Sequence, residues 1–540
     1  MKRQRILQDM ALRHAVSTKQ MTLRGRTTAL SVLFLSLVAC DSQVSNDSVS
    51  RAASNVSLTA TNANAPLAVT LAESVKPDVS SIVSLPASMG ENQIRWPMAK
   101  LSTPGRIEHV EQRQGDPVEG RRALLEESYV SCGLPERIYR NLLADDIPVT
   151  EVAGRSSDAD GLPFSTNLII NDLGVPTVTN NCLTCHGTVL FGELVIGLGN
   201  EFMDFTQDSS ALVERAGALV ANEAESLSWE HYADRIAAIA PYTRMHTIGV
   251  NPANNLTFAL IAHRDAHSNA WSEEPLLALP PVDPPPVSVP PWWRMNKKTA
   301  MFNLGEGRGD HARIMMAASM LCTDDKAALI EIDKYAPDLL AFIKSVEAPV
   351  WPFPVNQSLV TPGQLIFEST CSACHGTYGD NPQYPSRLVP LEVVQTDATL
   401  VDFAINEGLP YLDWFNRSFF GQIATAAPGP GYVAPPLDGI WATAPFLHNG
   451  SVPTLKAVLD RTIRPLVWRH TTPNTNQRDS YDQDDMGWDF EVVESTQIAM
   501  PKPSDIYDTR LLGYSNSGHP FGDHLNDSQR TAVLEYLKTL

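Results

Sequence analysis

The pattern of apolar positions predicts several amphipathic helices and two stretches without regular structure. Apolar residues recur at helical spacing in 212–225, 233–245, 326–346 and 528–540. Residues 41–95 are instead rich in Ser, Ala, Asn, Thr and Val with few aromatics, which is typical of a flexible tether. The run 280–291 (PPVDPPPVSVPP) cannot be a helix or a central strand, because proline fixes φ and lacks an N–H. We expect this run to be an extended crossover between two domains.

The N-terminal forty residues predict a targeting segment. Arg24 and Arg26 precede the apolar run 29–39, which is too short for a stable membrane span. The run ends in LVAC, which resembles a bacterial lipoprotein cleavage box and implies cleavage before Cys40 and a lipid on that residue. An uncleaved signal anchor is the alternative, and Met21 is an alternative start. The expected location is the periplasm, with the protein lipid-anchored to the membrane.

Composition narrows the classes of partner. The chain has 540 residues, of which 43% are apolar, and this length suits about two or three domains. The formal net charge is −20. Nucleic acid is therefore not an expected partner, whereas a basic electron-transfer protein would be steered towards this surface.

Two short strings carry the chemistry. The motif C-x-x-C-H followed by glycine occurs at 182–187 and again at 371–376. Two thiols one helical turn apart can form thioethers with the two vinyl groups of one porphyrin, and the adjacent histidine supplies the proximal iron ligand. A zinc site would need a second Cys or His pair at regular spacing, and neither motif has one nearby. The sequence therefore predicts two covalently bound haem c groups, held by Cys182, Cys185, His186, Cys371, Cys374 and His375.

Two cysteines remain once Cys40 and the haem motifs are set aside. Cys132 and Cys322 could form a disulfide in an oxidising compartment, or they could be two separate buried thiols. Sequence alone does not show whether they are close together, so both alternatives stay open.

Several longer strings resemble the bacterial di-haem cytochrome c peroxidase superfamily. They are closest to its branch of rubber-oxygenase-like di-haem c-type cytochromes. Residues 362–379 (PGQLIFESTCSACHGTYG) resemble the first helix of a class I cytochrome c, with a glycine and an aromatic residue ahead of the haem motif. The other strings that carry the resemblance are 290–302, 305–319, 437–455 and 513–525.

The resemblance implies a fold and a division of the chain. The expected fold class is mainly α, with two class I cytochrome c-like haem domains, extended loops and little β-structure. The expected division is a signal peptide (1–40), a tether (41–95), an N-terminal haem domain that ends in the proline-rich crossover (96–290), an inter-haem segment (291–360) and a C-terminal cytochrome c domain (361–540).

The resemblance also implies that one haem is six-coordinate while the other binds peroxide or dioxygen. In the resembled branch a Gly-His pair before the last helix supplies the sixth ligand of the second haem, which matches Gly518-His519. Met500 and His448 are the alternatives. Trp293 resembles the tryptophan between the two haems, so the resemblance implies a catalytic role in which its indole carries oxidising equivalents between them. Packing at a domain seam is its other interpretation.

The first haem has five candidate histidines: His231, His246, His263, His267 and His311. His311 lies in the segment that forms the distal side of this haem in the family, so we predict a catalytic role in proton transfer there. A structural ion pair at a helix N-terminus is its other interpretation.

The predicted function is an oxidoreductase in which a periplasmic electron donor reduces the C-terminal haem and electrons reach a peroxide-reducing N-terminal haem. The alternatives are a haem dioxygenase of the rubber-oxygenase type and a non-catalytic periplasmic electron carrier.

Overall fold

A computed structural model describes residues 105–143, 150, 152–494 and 503–540. The α-helices of these residues are α1 (Pro117–Glu126), α2 (Glu136–Leu143), α3 (Leu183–His186), α4 (Ser210–Gly217), α5 (Glu223–Ile239), α6 (Ala253–Ala262), α7 (His311–Met315), α8 (Lys326–Ser345), α9 (Gln357–Thr370), α10 (Ser372–His375), α11 (Leu391–Val394), α12 (Thr399–Asn406), α13 (Leu409–Arg417), α14 (Leu455–Leu459) and α15 (Asp527–Leu537). The 3-10 segments that bear on the sites below are Trp292–Arg294, Met316–Leu321 and Pro520–Gly522.

Short strands pair into several small antiparallel sheets. Their bounds are β1 (Leu134–Pro135), β2 (Thr166–Ile170), β3 (Pro176–Asn180), β4 (Gly187–Leu190), β5 (Glu193–Ile196), β6 (Gly307–Gly309), β7 (Leu388–Pro390), β8 (Ala424–Ala426), β9 (Gly431–Val433), β10 (Val467–His470), β11 (Tyr481–Asp482), β12 (Gly487–Trp488), β13 (Phe490–Val492) and β14 (Tyr507–Asp508). Two sheets have three strands, in the orders β1-β3-β2 and β13-β10-β14. The pairs β4-β5, β6-β8, β7-β9 and β11-β12 complete the set.

The predicted fold class, mainly α with two class I cytochrome c-like domains and little β-structure, is wrong. The described structure is mixed, with 40% helix and 14% strand in several small sheets. The strands are only two to five residues long. The pairs β2-β3, β4-β5 and β11-β12 are local hairpins, whereas β1-β3, β6-β8 and β7-β9 join segments that are further apart in the sequence. Such short strands have no alternating pattern long enough to detect in the sequence, because pairing partners rather than local periodicity create them.

Two close helix pairs organise the structure. Helix α8 begins after Asp325, whose side chain accepts a hydrogen bond from Ala328 N at 2.8 Å, and it packs on α1. Helix α9, which leads into the second haem motif, packs on the C-terminal helix α15. At Gly363 a Cβ atom would lie 1.9 Å from Ala532 O, so only glycine permits this approach. Since α15 closes on α9, it encloses the region of the second motif.

A disulfide joins Cys132 to Cys322, which decides the alternative that the sequence left open. Both cysteines are buried in the same hydrophobic core, together with residues of α5, α6 and α8. The bridge fixes the end of the Met316–Leu321 segment to the strand region that precedes α2. This segment also contributes side chains to the cavity described below.

The structure can be compared with several other predictions from the sequence. The periodicities in 326–346 and 528–540 correspond to α8 and α15. The run 280–291 contains no helix, and Val287 forms an isolated bridge with Asn251. Across the described ranges, none of the helices combines the length and apolar character that a membrane span requires. The predicted targeting segment, Cys40, the tether and Met500 lie outside the described residues, and the predicted domain division stays a prediction.

Candidate haem centres

One internal cavity of about 1370 Å³ is lined by both C-x-x-C-H motifs. Each motif forms a single helical turn, α3 or α10, with its first cysteine at the N-cap position. This geometry places the two cysteines of each motif one turn apart and the histidine at the end of the turn. The cavity is mainly apolar in its lining, as a site for a porphyrin needs.

The motif thiols differ from those of a redox dithiol. Burial raises the pKa of Cys182 and of Cys371 to about 12, and that of Cys374 to about 11. A reactive C-x-x-C dithiol instead has a lowered pKa, because its thiolate is the nucleophile. Within the described ranges, no three His, Cys, Asp or Glu side chains converge as a metal-binding group. These observations fit thioether attachment better than disulfide exchange.

His375 has the orientation that a proximal haem ligand requires. Its Nδ1 donates to the carbonyl of Pro435 at 2.8 Å, which fixes the tautomer and leaves Nε2 available for a metal. Burial lowers the pKa of His375, while the Pro435 carbonyl acts in the opposite direction. The imidazole is therefore neutral at physiological pH, as a ligand must be.

His519 lies opposite His375 across the cavity. The two ring centroids are 6.3 Å apart, with 51° between the ring planes. Metal–imidazole bonds are about 2 Å long, so one ion between the rings would place the two nitrogens about 4 Å apart and account for this spacing. The Nδ1 atom of His519 is buried without a hydrogen-bond partner.

The backbone at 518–519 explains how this histidine reaches the cavity. Gly518 has φ +80°, and a Cβ there would lie 2.2 Å from the backbone of Gln395. His519 itself is left-handed at φ 52°, and its N–H donates to Val394 O at 2.6 Å. Glycine is required here because the two segments touch backbone to backbone. The pairing with 394–396 therefore fixes the His519 ring, although its role as the sixth ligand stays a prediction.

The alternative ligands are less available. His448 Nε2 lies 3.0 Å from Tyr432 Oη, and the two rings stack at 4.1 Å. Tyr432 Oη in turn donates to Asp397 O at 2.6 Å. Hydrogen bonding thus occupies the His448 nitrogen that a metal would use, even though the ring lines the cavity. Met500 lies outside the described residues.

His186 of the first motif has a tryptophan rather than a histidine against its ring. Trp292 stacks on His186 at a centroid distance of 5.2 Å, with 30° between the planes. Gly197 joins the two, because its N–H donates to His186 O at 2.7 Å and its carbonyl accepts from Trp292 N at 2.8 Å. Burial lowers the pKa of His186 to about 4, partly offset by the Pro290 carbonyl. This ring is therefore also neutral.

The sequence prediction selected Trp293 and missed Trp292. Trp293 is buried and donates from Nε1 to Asp438 O at 2.8 Å. It packs in one core with Leu190 and Leu198, which follow the first motif, and with Leu437 near the second. A seam position fits its predicted place between the two haem regions. Electron transfer through its indole stays a prediction.

The five histidines considered for the first haem all lie away from the cavity. Among the described residues that line it, none is His231, His246, His263, His267 or His311. His263 stacks on Trp271 at 4.8 Å, and His231 pairs with Asp324 at 2.9 Å. These two histidines therefore have structural partners.

His311 is buried at the first position of α7, but its ring is not part of the cavity lining. Burial lowers its pKa to about 4, and its Nε2 has no hydrogen-bond partner. The predicted helix-terminus ion pair belongs to its neighbour, because Asp310 caps α7 and pairs with Arg113 at 2.9 Å. The predicted catalytic role of His311 stays a prediction, which this placement does not support.

The segment predicted to form the distal side of the first haem contributes mostly apolar side chains. The predicted bounds are 302–320, and its cavity-lining members are Phe302, Asn303, Glu306, Ile314, Met315, Ala317 and Ala318. Helix α7 and the following 3-10 turn present this apolar face, because the disulfide and the core hold their other side. An apolar lining excludes water from the cavity and favours an apolar guest.

Four charged side chains line the same cavity: Glu201, Arg294, Lys298 and Glu306. Burial lowers the pKa of Arg294 to about 10 and that of Lys298 to about 8. Arg294 also interacts electrostatically with His375, so it lies on the side of the second motif. Two buried cations fit the anionic propionates of a haem. The adjacent Lys297 pairs with Asp438 at 2.6 Å.

Glu306 is a cavity residue that the sequence reasoning missed. Burial raises its pKa to about 7, and Lys298 and Arg308 oppose this shift. Its Oε2 accepts from Leu304 N at 3.1 Å, within the turn that precedes β6. The segment was singled out from the sequence for His311, and nothing local marks Glu306 as the residue that faces inward.

One family model matches a short part of the chain. The family described as "RoxA-like, cytochrome c-like" matches residues 431–469, from β9 to β10. The match includes Pro435, the acceptor of the His375 hydrogen bond. The region is therefore a cytochrome c-like domain, which implies a c-type haem. The match supports the rubber-oxygenase-like di-haem cytochromes, whereas the wider peroxidase superfamily is not confirmed.

Two curated proteins of Sinorhizobium fredii (strain NBRC 101917 / NGR234) are similar to this chain. The uncharacterized protein y4iM is 29% identical over 237 residues, which are 37% of this chain and 52% of that protein. The uncharacterized protein y4iJ is 40% identical over 118 residues, which are 20% of this chain and 18% of that protein. The chain thus spans about half of the first relative and under a fifth of the second.

Proposed function

We propose that the protein is a di-haem c-type cytochrome whose first haem reacts with dioxygen and whose second haem is capped, acting as an oxygenase of the rubber-oxygenase type. The observation that carries the proposal is the contrast in the cavity. A histidine faces His375, whereas the predicted distal segment of the first haem contributes mainly apolar side chains. A site of this kind would admit O₂ and an apolar alkene while excluding water.

The residues of the first site have separable tasks. Cys182 and Cys185 would hold the haem through thioethers, and His186 would be the proximal ligand. When bound, the haem supplies the iron at which dioxygen is activated. Trp292 orients the His186 ring by stacking on it, and Met315 and Ile314 keep water out.

The residues of the second site would hold an electron rather than a substrate. His375 and His519 would both ligate the iron, and Cys371 and Cys374 would fix the porphyrin. Arg294 would bind a propionate, since it is a buried cation on that side of the cavity.

A peroxidase is the second candidate, and Glu306 favours it. A carboxyl group whose pKa is near 7 can give and take a proton at neutral pH, which peroxide reduction needs. Electrons would then come from a periplasmic donor protein, pass the second haem and Trp293, and reach the first haem. The acidic surface suits a basic donor, and we propose a periplasmic location with lipid on Cys40.

The test compares two reactions of the haem-loaded protein. One sample receives polyisoprene latex and O₂ without a reductant, and the other receives hydrogen peroxide with a reduced electron donor. Carbonyl products and O₂ uptake in the first sample support the oxygenase. Peroxide turnover that Glu306→Gln abolishes and His311→Gln preserves supports the peroxidase with the carboxyl as proton carrier. If neither reaction occurs and both haems are six-coordinate, the protein is the non-catalytic electron carrier.

A further inference from the structure

Three aromatic rings form a continuous buried chain beside the first haem motif. Trp468 and Tyr507 are cross-strand partners in the sheet β13-β10-β14, and their rings stack at 5.2 Å with 12° between the planes. Tyr514 follows at 5.5 Å from Tyr507. All three rings are at most 4% exposed. Contacts of this length are typical of interacting aromatic pairs.

The hydrophobic core that contains these rings extends to the first haem motif. The three rings belong to one small core with Met203, and Cys185 packs against that core. Cys185 is the residue that would carry a thioether of the first haem. Electronic contact between the porphyrin edge and the aromatic core would therefore need no intervening solvent.

The chain ends near the surface. The ring of His246 lies 5.9 Å from that of Tyr514, and its side chain is 48% exposed. His246 Nε2 pairs with Asp283 at 2.7 Å. The backbone N–H of His246 donates to Tyr514 Oη at 3.2 Å, which stabilises this oxygen when its proton leaves. The two inner rings differ, because Trp468 Nε1 and Tyr507 Oη donate to backbone carbonyls.

We propose that Trp468, Tyr507 and Tyr514 form a redox relay that carries oxidising equivalents from the first haem to the protein surface. The inference rests on the proposed function, because it needs an oxidised haem at Cys185. Hydrogen peroxide would be the oxidant: once it has oxidised a bound haem beyond the ferric level, that haem would take one electron from the relay in each turn. The Oη–H bond of Tyr514 breaks, and the proton leaves at the His246 end. A one-electron donor in solution then returns the electron, the proton is taken up again, and the relay is restored.

A relay of this kind protects a site that handles O₂ or peroxide. When a substrate is absent, oxidising equivalents would otherwise attack nearby side chains. Met203 and Met245 lie in the same core and are targets for such oxidation. Tyr514 would accept the hole instead, next to the half-exposed His246, where a reductant can approach.

The test uses the ferric, haem-loaded protein and hydrogen peroxide, with electron paramagnetic resonance on freeze-quenched samples. We expect a tyrosyl radical that Tyr514→Phe removes and that Tyr507→Phe lowers at least several-fold. Tyr129→Phe is the matched control, since Tyr129 is buried near Cys182 and has no aromatic ring partner among the described residues. Peptide mass spectrometry of the same samples should show more sulfoxide at Met203 and Met245 in Tyr514→Phe.

The outcomes separate the relay from the proposed function. A radical that Tyr129→Phe removes and Tyr514→Phe leaves unchanged overturns the relay, and so does the absence of any radical when both haems are attached. The wild-type protein gives a further test that does not depend on a variant folding. If Trp468 and Tyr514 carry no oxidative modification after peroxide treatment of the wild type, this result also counts against the relay. A protein with no covalent haem would instead contradict the proposed function itself.

Discussion

The two C-x-x-C-H turns are alike in sequence and in local form, yet their surroundings differ. The ring of His375 faces a second imidazole, His519, across the cavity. The ring of His186 has Trp292 stacked against it, and the nearby distal segment is mainly apolar. The same attachment motif can therefore serve two different iron environments. Under the proposed function, segments far along the chain, rather than the motif, would determine whether a bound haem is capped.

The two motif histidines also differ in the charged residues that act on them. Arg294 interacts electrostatically with His375, whereas among the described residues only burial and the Pro290 carbonyl shift the pKa of His186. A positive charge near an iron favours its reduced state. We therefore expect the second haem to hold an electron more readily than the first.

The largest expected effect is the loss of one haem at a time. Replacing Cys182 and Cys185 by alanine should remove one covalent haem, and replacing Cys371 and Cys374 should remove the other. Thioethers survive denaturation, so haem-stained gels and the intact mass measure the change. Release of all haem from the denatured wild-type protein would contradict covalent attachment at both motifs.

His519→Gly should open the second haem. The variant removes the proposed sixth ligand but leaves both thioethers, so carbon monoxide binding should rise from one to two molecules per protein. His448→Gly is the matched control, because His448 is hydrogen-bonded to Tyr432 and should leave the stoichiometry at one. If the control opens the site and His519→Gly does not, the ligand assignment is wrong.

Arg294→Met should lower the reduction potential of the second haem. Losing one buried cation would change the potential by several tens of millivolts, which corresponds to about 1–2 kcal/mol of charge interaction. Lys297→Met is the control, since its ammonium is already paired with Asp438. Spectroelectrochemical titration measures both haems. A shift confined to the first haem would place Arg294 on the wrong side of the cavity.

Glu306 should make stability depend on pH. Its pKa is raised from 4.5 to about 7, so between these values the unfolded chain releases the proton before the folded protein does. The contribution of the protonated Glu306 to the free energy of unfolding is fully present below about pH 4.5 and is lost as the pH rises to 7. The total loss is roughly 3 kcal/mol at most. Denaturant unfolding at several pH values measures the change, and Glu306→Gln should remove it. Glu214→Gln, an exposed carboxyl, is the control, and an equal change there would contradict the assignment.

Local patterns were predictable, whereas long-range placements were not. The haem turns and the helices α8 and α15 follow from motif spacing and periodicity. The Gly-His resemblance pointed to His519, which the structure places opposite His375. The pattern could not separate Trp292 from Trp293, because neighbouring residues on a 3-10 turn point in different directions.

The same limit applies to the remaining differences. His311 and Glu306 lie in one segment, and only tertiary packing decides which of them faces the cavity. The small sheets were missed because strands of two to five residues are too short to show an alternating pattern of apolar and polar positions.

Carbon monoxide titration of the ferrous wild-type protein tests the central claim most directly. The total haem is measured in the same sample, so the ratio of bound CO to haem follows without a variant. A capped second site and an open first site predict one CO for every two haems. No bound CO would mean that both irons are capped, and one CO per haem would mean that His519 does not hold the second iron; either result would contradict the account.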